Sequence, residues 1–301
     1  MNASGRDIPH DSGFVEIADR CWVARHEFLD VNVGVVAGKG GLLVVDTHAS
    51  EADARKVLDH VRRLGSRLGR GEVIGVVNTH EHFDHTFGNA AFRDAYDGVP
   101  MHAHEAAAAR TIEAGERIKR LYDDEPDDPH REDVQATRIV PADQTFSSAR
   151  VVDLGDRMVE LIHPGRGHTA GDVVIRVPDV DVMYAGDLVE ESVVRSGVPY
   201  FGDDCFPLEW PATLDLVIGL LTASSVVVPG HGLPVDLDFV AEQRGSIGIV
   251  AETIHGLAGN GVPVAEALAA ADWPYPTEEL TRAVARGYEH LPRSARSLPL
   301  A

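Results

Sequence analysis

The strongest signal in the chain is the heptapeptide THEHFDH at residues 79–85. The seven residues before it, EVIGVVN, form a nearly continuous apolar run that predicts a buried strand. On an extended backbone His80 and His82 point to one side, while Asp84 and His85 lie at the turn into the next helix. Neutral imidazole nitrogens and carboxylate oxygens are the mixture of ligands that Zn²⁺ takes in proteins. The heptapeptide therefore predicts a metal site rather than an ordinary polar turn.

Four further segments also place a ligand-type side chain close to an apolar strand. The segment GRGHTAGD supplies His168 among glycines, which allow close approach of the backbone. The other three are VMYAGD with Asp187, VVVPGHG with His231 and LLVVD with Asp46. One such segment is weak evidence, whereas five motifs in this order indicate a metal centre assembled from distant parts of the chain.

With these five motifs the chain resembles the metallo-β-lactamase-fold hydrolases, from about Val31 to Gly232. The resemblance implies an α+β fold, a four-layer αββα sandwich with the active site along one edge of the two sheets. It also implies a role for each motif residue. The first metal would be bound by His80, His82 and His168, the second by Asp84, His85 and His231, with Asp187 bridging them and Asp46 orienting ligands through hydrogen bonds.

Such a centre predicts two Zn²⁺ ions per chain, although the same ligands also suit Fe and Mn. A metal lowers the pKa of bound water from about 16 to about 7, so a bridging hydroxide is available at neutral pH. We therefore expect a binuclear metal-dependent hydrolase that attacks a small ester, thioester, lactone or amide, with Asp84 and Asp187 as the catalytic carboxylates. The alternatives are metallo-β-lactamase-type hydrolysis of β-lactams and a di-iron or mono-iron redox enzyme on the same fold.

The expected bridging carboxylate, Asp187, indicates which enzyme classes of the family this chain resembles. Thiolate-bearing β-lactamases of the family have Cys where this chain has Asp187, and other true β-lactamases lack that Asp. An Asp at this position is similar to what glyoxalase II enzymes, lactonases and tRNA-processing nucleases carry. The nuclease class also needs a basic surface for RNA, which the composition of this chain disfavours.

The composition excludes other classes of function. Acidic residues outnumber basic ones 48 to 27, for a formal charge of -21, so we expect no nucleic-acid partner and no membrane partner. We expect neither a signal peptide nor a membrane span, which predicts a cytoplasmic protein with a small-molecule substrate. The cysteines, Cys21 and Cys205, are too few for a disulfide framework and are interpreted as small apolar residues.

The order of strands and helices, with no Ser/Gly-rich linker, predicts one domain over residues 1–301. The resemblance implies that it is metallo-β-lactamase-like, with a metal-site core at about 31–232 and a helical part at about 233–301. The acidic run 123–133 is expected to be a solvated loop, with a flap near the active site as the alternative. The expected strands are 31–37, 42–46, a run ending near 78, 137–140, 150–153, 157–162, 172–177, 181–185 and 225–229. The expected helices are 51–64, 104–121, 210–221, about 237–258 and 277–290.

Substrate contacts are expected on the loop after Asp187, which extends to about Pro207. Its aromatic residues could form an apolar wall, or Phe206 and Trp210 could simply anchor the next helix. Arg166 could contact a substrate carboxylate or pair with a surface acid. The C-terminal helices have three alternatives: packing on the outer face, a homodimer contact, or completion of the substrate pocket.

Overall fold

The computed structural model describes residues 8–69 and 71–291, and only the backbone of Arg195. Its strands are β1 Val15–Ala18, β2 Cys21–Arg25, β3 Asn32–Gly38, β4 Gly41–Val45, β5 Val73–Val77, β6 Met101–His104, β7 Gln144–Phe146, β8 Ala149–Asp153, β9 Met158–Ile162, β10 Val174–Val177, β11 Val182–Glu190 and β12 Val226–His231. Its helices are α1 Glu51–Leu68, α2 Phe83–Thr86, α3 Asn89–Ala95, α4 Glu105–Asp123, α5 Arg131–Ala136, α6 Trp210–Ile218, α7 Leu237–Gly259, α8 Val264–Ala267 and α9 Thr277–His290. Short 3-10 turns occupy Phe28–Asp30, Pro178–Val180 and Val193–Arg195.

The strands form two sheets. One has seven strands in the order β1-β2-β3-β4-β5-β6-β7, and the other has five in the order β12-β11-β10-β9-β8. The pairs β4·β5 and β5·β6 in the first sheet and β11·β12 in the second are parallel. Parallel neighbours bring the carboxyl ends of their strands to the same edge. The segments that follow β4 and β5 therefore meet at one edge, and an isolated bridge between Val31, just before β3, and His231 brings the end of β12 to the same edge.

Alternating residues of the central strands face different layers. On β4, Leu43 and Val45 belong to the apolar cluster between the sheets, whereas Leu42 and Val44 pack in the cluster that contains helix α1. Both sets are buried, which explains why these strands read as continuous apolar runs. A third cluster packs β11 against α6, α7 and α9. The predicted αββα sandwich is confirmed.

The local sequence determines where helix α1 begins and ends. Ser50 is its N-cap, and the Ser50 side chain accepts a hydrogen bond from the backbone N–H of Asp53 at 3.0 Å. Gly69 ends the helix in the left-handed conformation, with φ of 66°. The helix is one turn longer than its apolar spacing predicts, because Gly69 rather than the last apolar residue stops it.

Three predictions about elements were wrong in part. No strand forms at residues 137–140, where side chains take the backbone bonds instead: Arg138 N–H donates to Glu51 at 2.9 Å, and Asn89 donates to the Val140 carbonyl at 2.9 Å. The acidic run 123–133 is not loop throughout, since it contains the end of α4 and the start of α5. The strand that carries Asp187 runs to Glu190, so Asp187 lies within it rather than after it.

None of the helices in residues 8–69 and 71–291 is both long and apolar enough to cross a membrane.

Trp210 is the largest fully buried side chain of the described residues, and it joins α6 to the second sheet. Its indole Nε1–H donates to the Leu188 carbonyl at 3.3 Å, and its ring lies 5.3 Å from that of Phe201. We expect Trp210→Ala to lower the free energy of unfolding by about 3–5 kcal/mol, because it leaves a large cavity in the core. Urea denaturation followed by circular dichroism measures this loss.

Leu216→Ala on the same helix is the matched control, since Leu216 is 61% exposed. We expect it to change the free energy of unfolding by less than about 0.5 kcal/mol. Equal losses in both variants would contradict the assignment of Trp210 to the core of this layer.

Candidate metal centre

The predicted ligands come from four places in the fold that converge at one sheet edge. The loop after β5 and the short helix α2 carry His80, His82, Asp84 and His85. His168 lies on the loop between β9 and β10, Asp187 on β11, and His231 at the end of β12. All of these side chains are buried or nearly so.

Two triads of ligand atoms result. The side chains of His80, His82 and His168 bring one ring nitrogen each within 4.8 Å of one another. The second triad consists of Asp84, His85 and His231. One carboxylate oxygen and two ring nitrogens of these side chains also lie within 4.8 Å of one another. The structure thus brings together the two sets that the sequence assigned to separate metals, while the binding of metal by these residues stays a prediction.

Asp187 lies between the triads. One of its oxygens, Oδ2, is 3.5 Å from His168 Nε2 and 3.2 Å from His231 Nε2. The other, Oδ1, is 3.2 Å from His85 Nε2. Because one carboxylate reaches both triads, Asp187 has the position required of a bridging ligand.

Gly230 makes room for that carboxylate. A Cβ at this position would lie 1.8 Å from Asp187 Oδ1, well inside van der Waals contact. Only glycine therefore allows the β12 backbone to pass so close to the Asp187 side chain.

Three of the histidines donate a hydrogen bond from Nδ1, on the side of the ring that faces away from the centre. His168 donates to the Tyr200 carbonyl at 3.0 Å, and His231 donates to the Leu29 carbonyl at 2.8 Å. His85 donates to the Asp46 carboxylate at 2.9 Å. These bonds place a proton on Nδ1 of each ring and direct Nε2 at the centre.

Asp46 also supports His80, through Thr79. The Thr79 hydroxyl donates to Asp46 at 2.8 Å, so its oxygen can accept from His80 Nδ1 at 3.0 Å. The Thr79 backbone N–H donates to the other Asp46 oxygen at 2.8 Å. Asp46 therefore orients a histidine in each triad, in agreement with the supporting role that the resemblance implies for it.

The donor set fits a metal. Within the described residues, His80 Nε2 and Asp187 Oδ1 are buried without a hydrogen-bond partner. Two further nitrogens, His85 Nε2 and His231 Nε2, lie 3.4 Å apart, while the Nδ1 atoms of the two rings are bonded to Asp46 and the Leu29 carbonyl. Buried polar atoms that converge without partners are costly unless a cation lies among them.

The electrostatics favour the metal-binding form of His80 and Asp187, while His85 would lose a proton on binding metal, because the carboxylates of Asp187, Asp84 and Asp46 outweigh burial and hold its pKa well above its usual value. Burial and the neighbouring His85 ring hold the pKa of His80 well below its usual value, so this imidazole is neutral. Burial opposes the charged form of Asp187, but the surrounding histidines outweigh it and hold the pKa of that carboxyl well below its usual range. A neutral imidazole and an ionised carboxylate are the states that coordinate a divalent cation.

Asp204 is a site residue that the sequence did not reveal. It accepts a hydrogen bond from His82 Nε2 at 3.0 Å, so His82 presents the opposite nitrogen, Nδ1, 2.9 Å from His168 Nε2. Burial disfavours the protonated His82 ring, yet the Asp204 carboxylate prevails and raises the pKa of His82 to about 9. The acidic pair Asp203-Asp204 lies in the loop predicted to contact substrate, but no spacing rule links either residue to a histidine over a hundred positions earlier.

Glu190 was also missed as a candidate ligand. Its carboxylate lies within 4.8 Å of the ligand atoms of Asp187 and His231, and it accepts a hydrogen bond from the Ser192 N–H at 3.1 Å. The sequence could have indicated Glu190, because it follows Asp187 closely at the end of the same strand.

The open alternatives for Arg166 and the aromatic residues are now resolved. Arg166 pairs with Glu209, with its Nη2 2.6 Å from the carboxylate, as the surface-pair alternative expects. Phe206 and Trp210 are buried and anchor α6, whereas Tyr200 faces the cavity over the metal centre. Burial raises the pKa of the Cys21 thiol to about 12, which agrees with an unreactive apolar role.

The other histidines near the motifs do not join the triads. His104 donates from Nε2 to the Ser147 carbonyl at 3.0 Å and caps helix α4. His163 donates to the Asp172 carbonyl at 2.8 Å. Both have the ordinary polar roles that the sequence favoured.

Replacement of His80 tests the first triad. We expect His80→Ala to lower the metal content per chain by about half or more, because a three-ligand position loses a ligand that nothing nearby replaces. Inductively coupled plasma mass spectrometry on the purified variant measures the content. His255→Ala, at an exposed histidine on α7, is the control and should leave the content unchanged; equal contents in both variants would exclude His80 as a ligand.

Replacement of Asp204 tests its support of His82. We expect Asp204→Ala to weaken metal binding about 10- to 100-fold, because His82 loses the acceptor that fixes its ring. Asp204→Asn, which keeps an acceptor oxygen, should lose less. Competition with a chromophoric chelator measures the affinity, and Asp203→Ala at the exposed neighbour is the control; a similar loss there would show that loop charge rather than His82 is responsible.

Comparison with known proteins agrees with this geometry. The sequence model of the metallo-beta-lactamase superfamily matches residues 26–236. The chain is 29% identical over 197 residues to the 2,4-dinitroanisole O-demethylase subunit alpha of Nocardioides sp. strain JS1661, covering 65% of this chain and about half (51%) of that subunit. It is 26% identical over 210 residues to the acyl-coenzyme A thioesterase MBLAC2 of Bos taurus, covering 66% of this chain and 72% of that protein.

Among solved structures, a metallo-beta-lactamase from Pontibacter korlensis superposes with a TM-score of 0.60 at 21% identity, over 78% of this chain and 97% of that one. At this identity the likeness concerns the fold alone. The match of the family over most of the chain, together with the αββα sandwich, shows that the chain belongs to the metallo-beta-lactamase superfamily.

Proposed function

We propose that the chain is a binuclear zinc hydrolase that cleaves esters or thioesters with an apolar acyl group. The observation that carries this proposal is the pair of ligand triads joined by Asp187. When bound, two divalent cations would supply a water of lowered pKa and an electrophile for the carbonyl oxygen of the substrate. Nitrogen-rich triads favour Zn²⁺, and Fe or Mn are the alternatives that metal analysis would reveal.

The residues of the chain would hold and orient these groups. Asp84 and Asp187 both line the cavity beside the centre, so their carboxylates would lie close to a water bound at the centre. Asp84 Oδ2 lies 3.4 Å from His231 Nε2 and 3.8 Å from His85 Nε2, which places it at the second triad. Both carboxylates can accept a hydrogen bond from that water and direct it at a carbonyl carbon.

The cavity over the centre supports an apolar acyl group. It measures about 170 Å³, and an apolar part of its wall lies beside charged residues that include Arg117, Asp203 and Arg282. The apolar part is formed by Leu29, Phe83, Ile118, Leu121 and Tyr200. A pocket of this kind excludes water from an acyl chain while the polar groups at its base fix the carbonyl. The similarity to MBLAC2, which is named an acyl-coenzyme A thioesterase, points in the same direction.

A hydrolysis screen tests the proposal. We expect hexanoyl thioesters and p-nitrophenyl hexanoate to be cleaved by the zinc-loaded protein, with activity lost after chelation and restored by Zn²⁺. We also expect Asp187→Ala to reduce kcat by about a hundredfold or more, because both metal positions lose the shared ligand. Initial rates are measured with a thiol reagent for the thioesters and by the absorbance of p-nitrophenolate for the ester.

The controls separate the alternatives. His255→Ala should keep wild-type rates, since His255 is exposed and remote in sequence from the motifs. Cleavage of a cephalosporin reporter with no turnover of esters or thioesters would replace the proposal by β-lactam hydrolysis. Bound iron with oxygen consumption and no hydrolysis would replace it by a redox reaction.

A further inference from the structure

A second cavity of about 330 Å³ adjoins the metal centre and is lined by arginines. Arg110, Arg117 and Arg120 come from α4, and Arg286 comes from α9. Arg117 and Asp204 line both this cavity and the apolar one, so the two cavities are neighbours. Four arginines around one cavity are unexpected in a chain with a net charge of -21.

Arg110, Arg117 and Arg120 share one face of the helix, since their spacing of seven and then three residues returns to the same side. The ten residue steps from Arg110 to Arg120 span about 15 Å at the rise of an α-helix. Guanidinium groups spread over that length match several anionic groups in a row rather than one carboxylate.

Two of these arginines have no direct partner in the described part of the chain, although Arg110 lies close enough to Glu81 to favour the charged form of that carboxyl. Within the described residues, neither Arg110 nor Arg120 forms an ion pair with a carboxylate or a hydrogen bond through its side chain. In contrast, Arg117 donates to Asp204 at 3.2 Å, and Arg286 pairs with Glu289 at 2.8 Å. The acids in the cavity lining do not cancel the free pair, because Asp204 is bound to His82 and Asp203 pairs with Arg282 at 3.0 Å.

The remaining acids of the lining are Glu113, which is exposed, and Glu81. Glu81 is buried, with 1% of its surface exposed, and both of its carboxyl oxygens are without a hydrogen-bond partner among the described residues. An unpaired buried acceptor at the base of a cavity is costly unless a ligand donates to it. The cavity therefore offers anion-binding groups at its rim and a hydrogen-bond acceptor at its base.

We infer that this arginine cavity binds the thiol part of a thioester substrate, and that this thiol carries several phosphate groups. The inference rests on the proposed thioesterase function and specifies its substrate class. The acyl chain would occupy the apolar cavity, the carbonyl would face the metal centre, and the phosphates would lie along Arg110 and Arg120. An N–H or O–H group of the thiol part would donate to Glu81.

Kinetics with three matched thioesters test the inference. They are the hexanoyl thioesters of coenzyme A, glutathione and N-acetylcysteamine, which present phosphates, carboxylates and no anion. The variant is Arg110→Gln/Arg120→Gln. We expect the ratio of kcat/KM for the coenzyme A ester to that for the N-acetylcysteamine ester to fall about tenfold. Arg110→Lys/Arg120→Lys, which keeps the charges, should retain most of the ratio.

The control is Arg62→Gln/Arg63→Gln, which removes the same charge from two exposed arginines on α1. It should leave the ratio unchanged. An equal fall in the control would show a general effect of net charge and overturn the inference, as would an unchanged ratio in the cavity variant. A fall confined to the glutathione ester would assign the cavity to carboxylates instead of phosphates.

A binding measurement keeps the inference testable if no thioester is hydrolysed, an outcome that would remove the proposed function alone. Adenosine 3′,5′-bisphosphate is titrated into the metal-loaded protein by isothermal calorimetry. We expect its Kd to rise about tenfold in Arg110→Gln/Arg120→Gln and to stay constant in Arg62→Gln/Arg63→Gln. No binding to the wild-type protein, or equal affinity in wild type and cavity variant, would overturn the inference.

Discussion

The hydrogen bonds on the outer nitrogens of the buried histidines are the constraint on which the centre depends. Each bond fixes the position of one ring proton and so directs the opposite lone pair inward. His168 and His231 use backbone carbonyls for this purpose, His85 uses Asp46, and His82 uses Asp204 with the ring reversed. Without these acceptors the rings could rotate or change tautomer, and the two triads would lose their shared focus.

The fold positions the histidines and their hydrogen-bond acceptors at the ends of strands. Parallel pairing of β4 with β5 brings Asp46 and the heptapeptide to one edge, and the bridge between Val31 and His231 joins the end of β12 to it. The apolar clusters on both faces of each sheet then hold the strands in register, so that the edge positions are set by core packing. The residues that stabilise the fold therefore lie on the faces of the sheets, whereas the candidate site residues lie at one edge.

The sequence predicted the fold and the group of converging ligands because both leave local patterns. Continuous apolar runs followed by polar residues identify strands that are buried on both faces and end at a site. Asp204 leaves no such pattern, since its link to His82 exists only after the chain has folded. The same holds for residues 137–140, whose backbone is paired with side chains of Glu51 and Asn89 rather than with a strand.

Leu29 and Tyr200 each contribute in two ways, and this has a consequence for evolvability. Their side chains line the apolar cavity, while their backbone carbonyls accept hydrogen bonds from His231 and His168. A carbonyl oxygen is present whatever the side chain, so substitutions at these positions can reshape the cavity while the support of the histidines remains. Insertions or deletions in the same loops would displace the carbonyls. Selection can therefore change specificity here by exchanging side chains, but not by changing loop length.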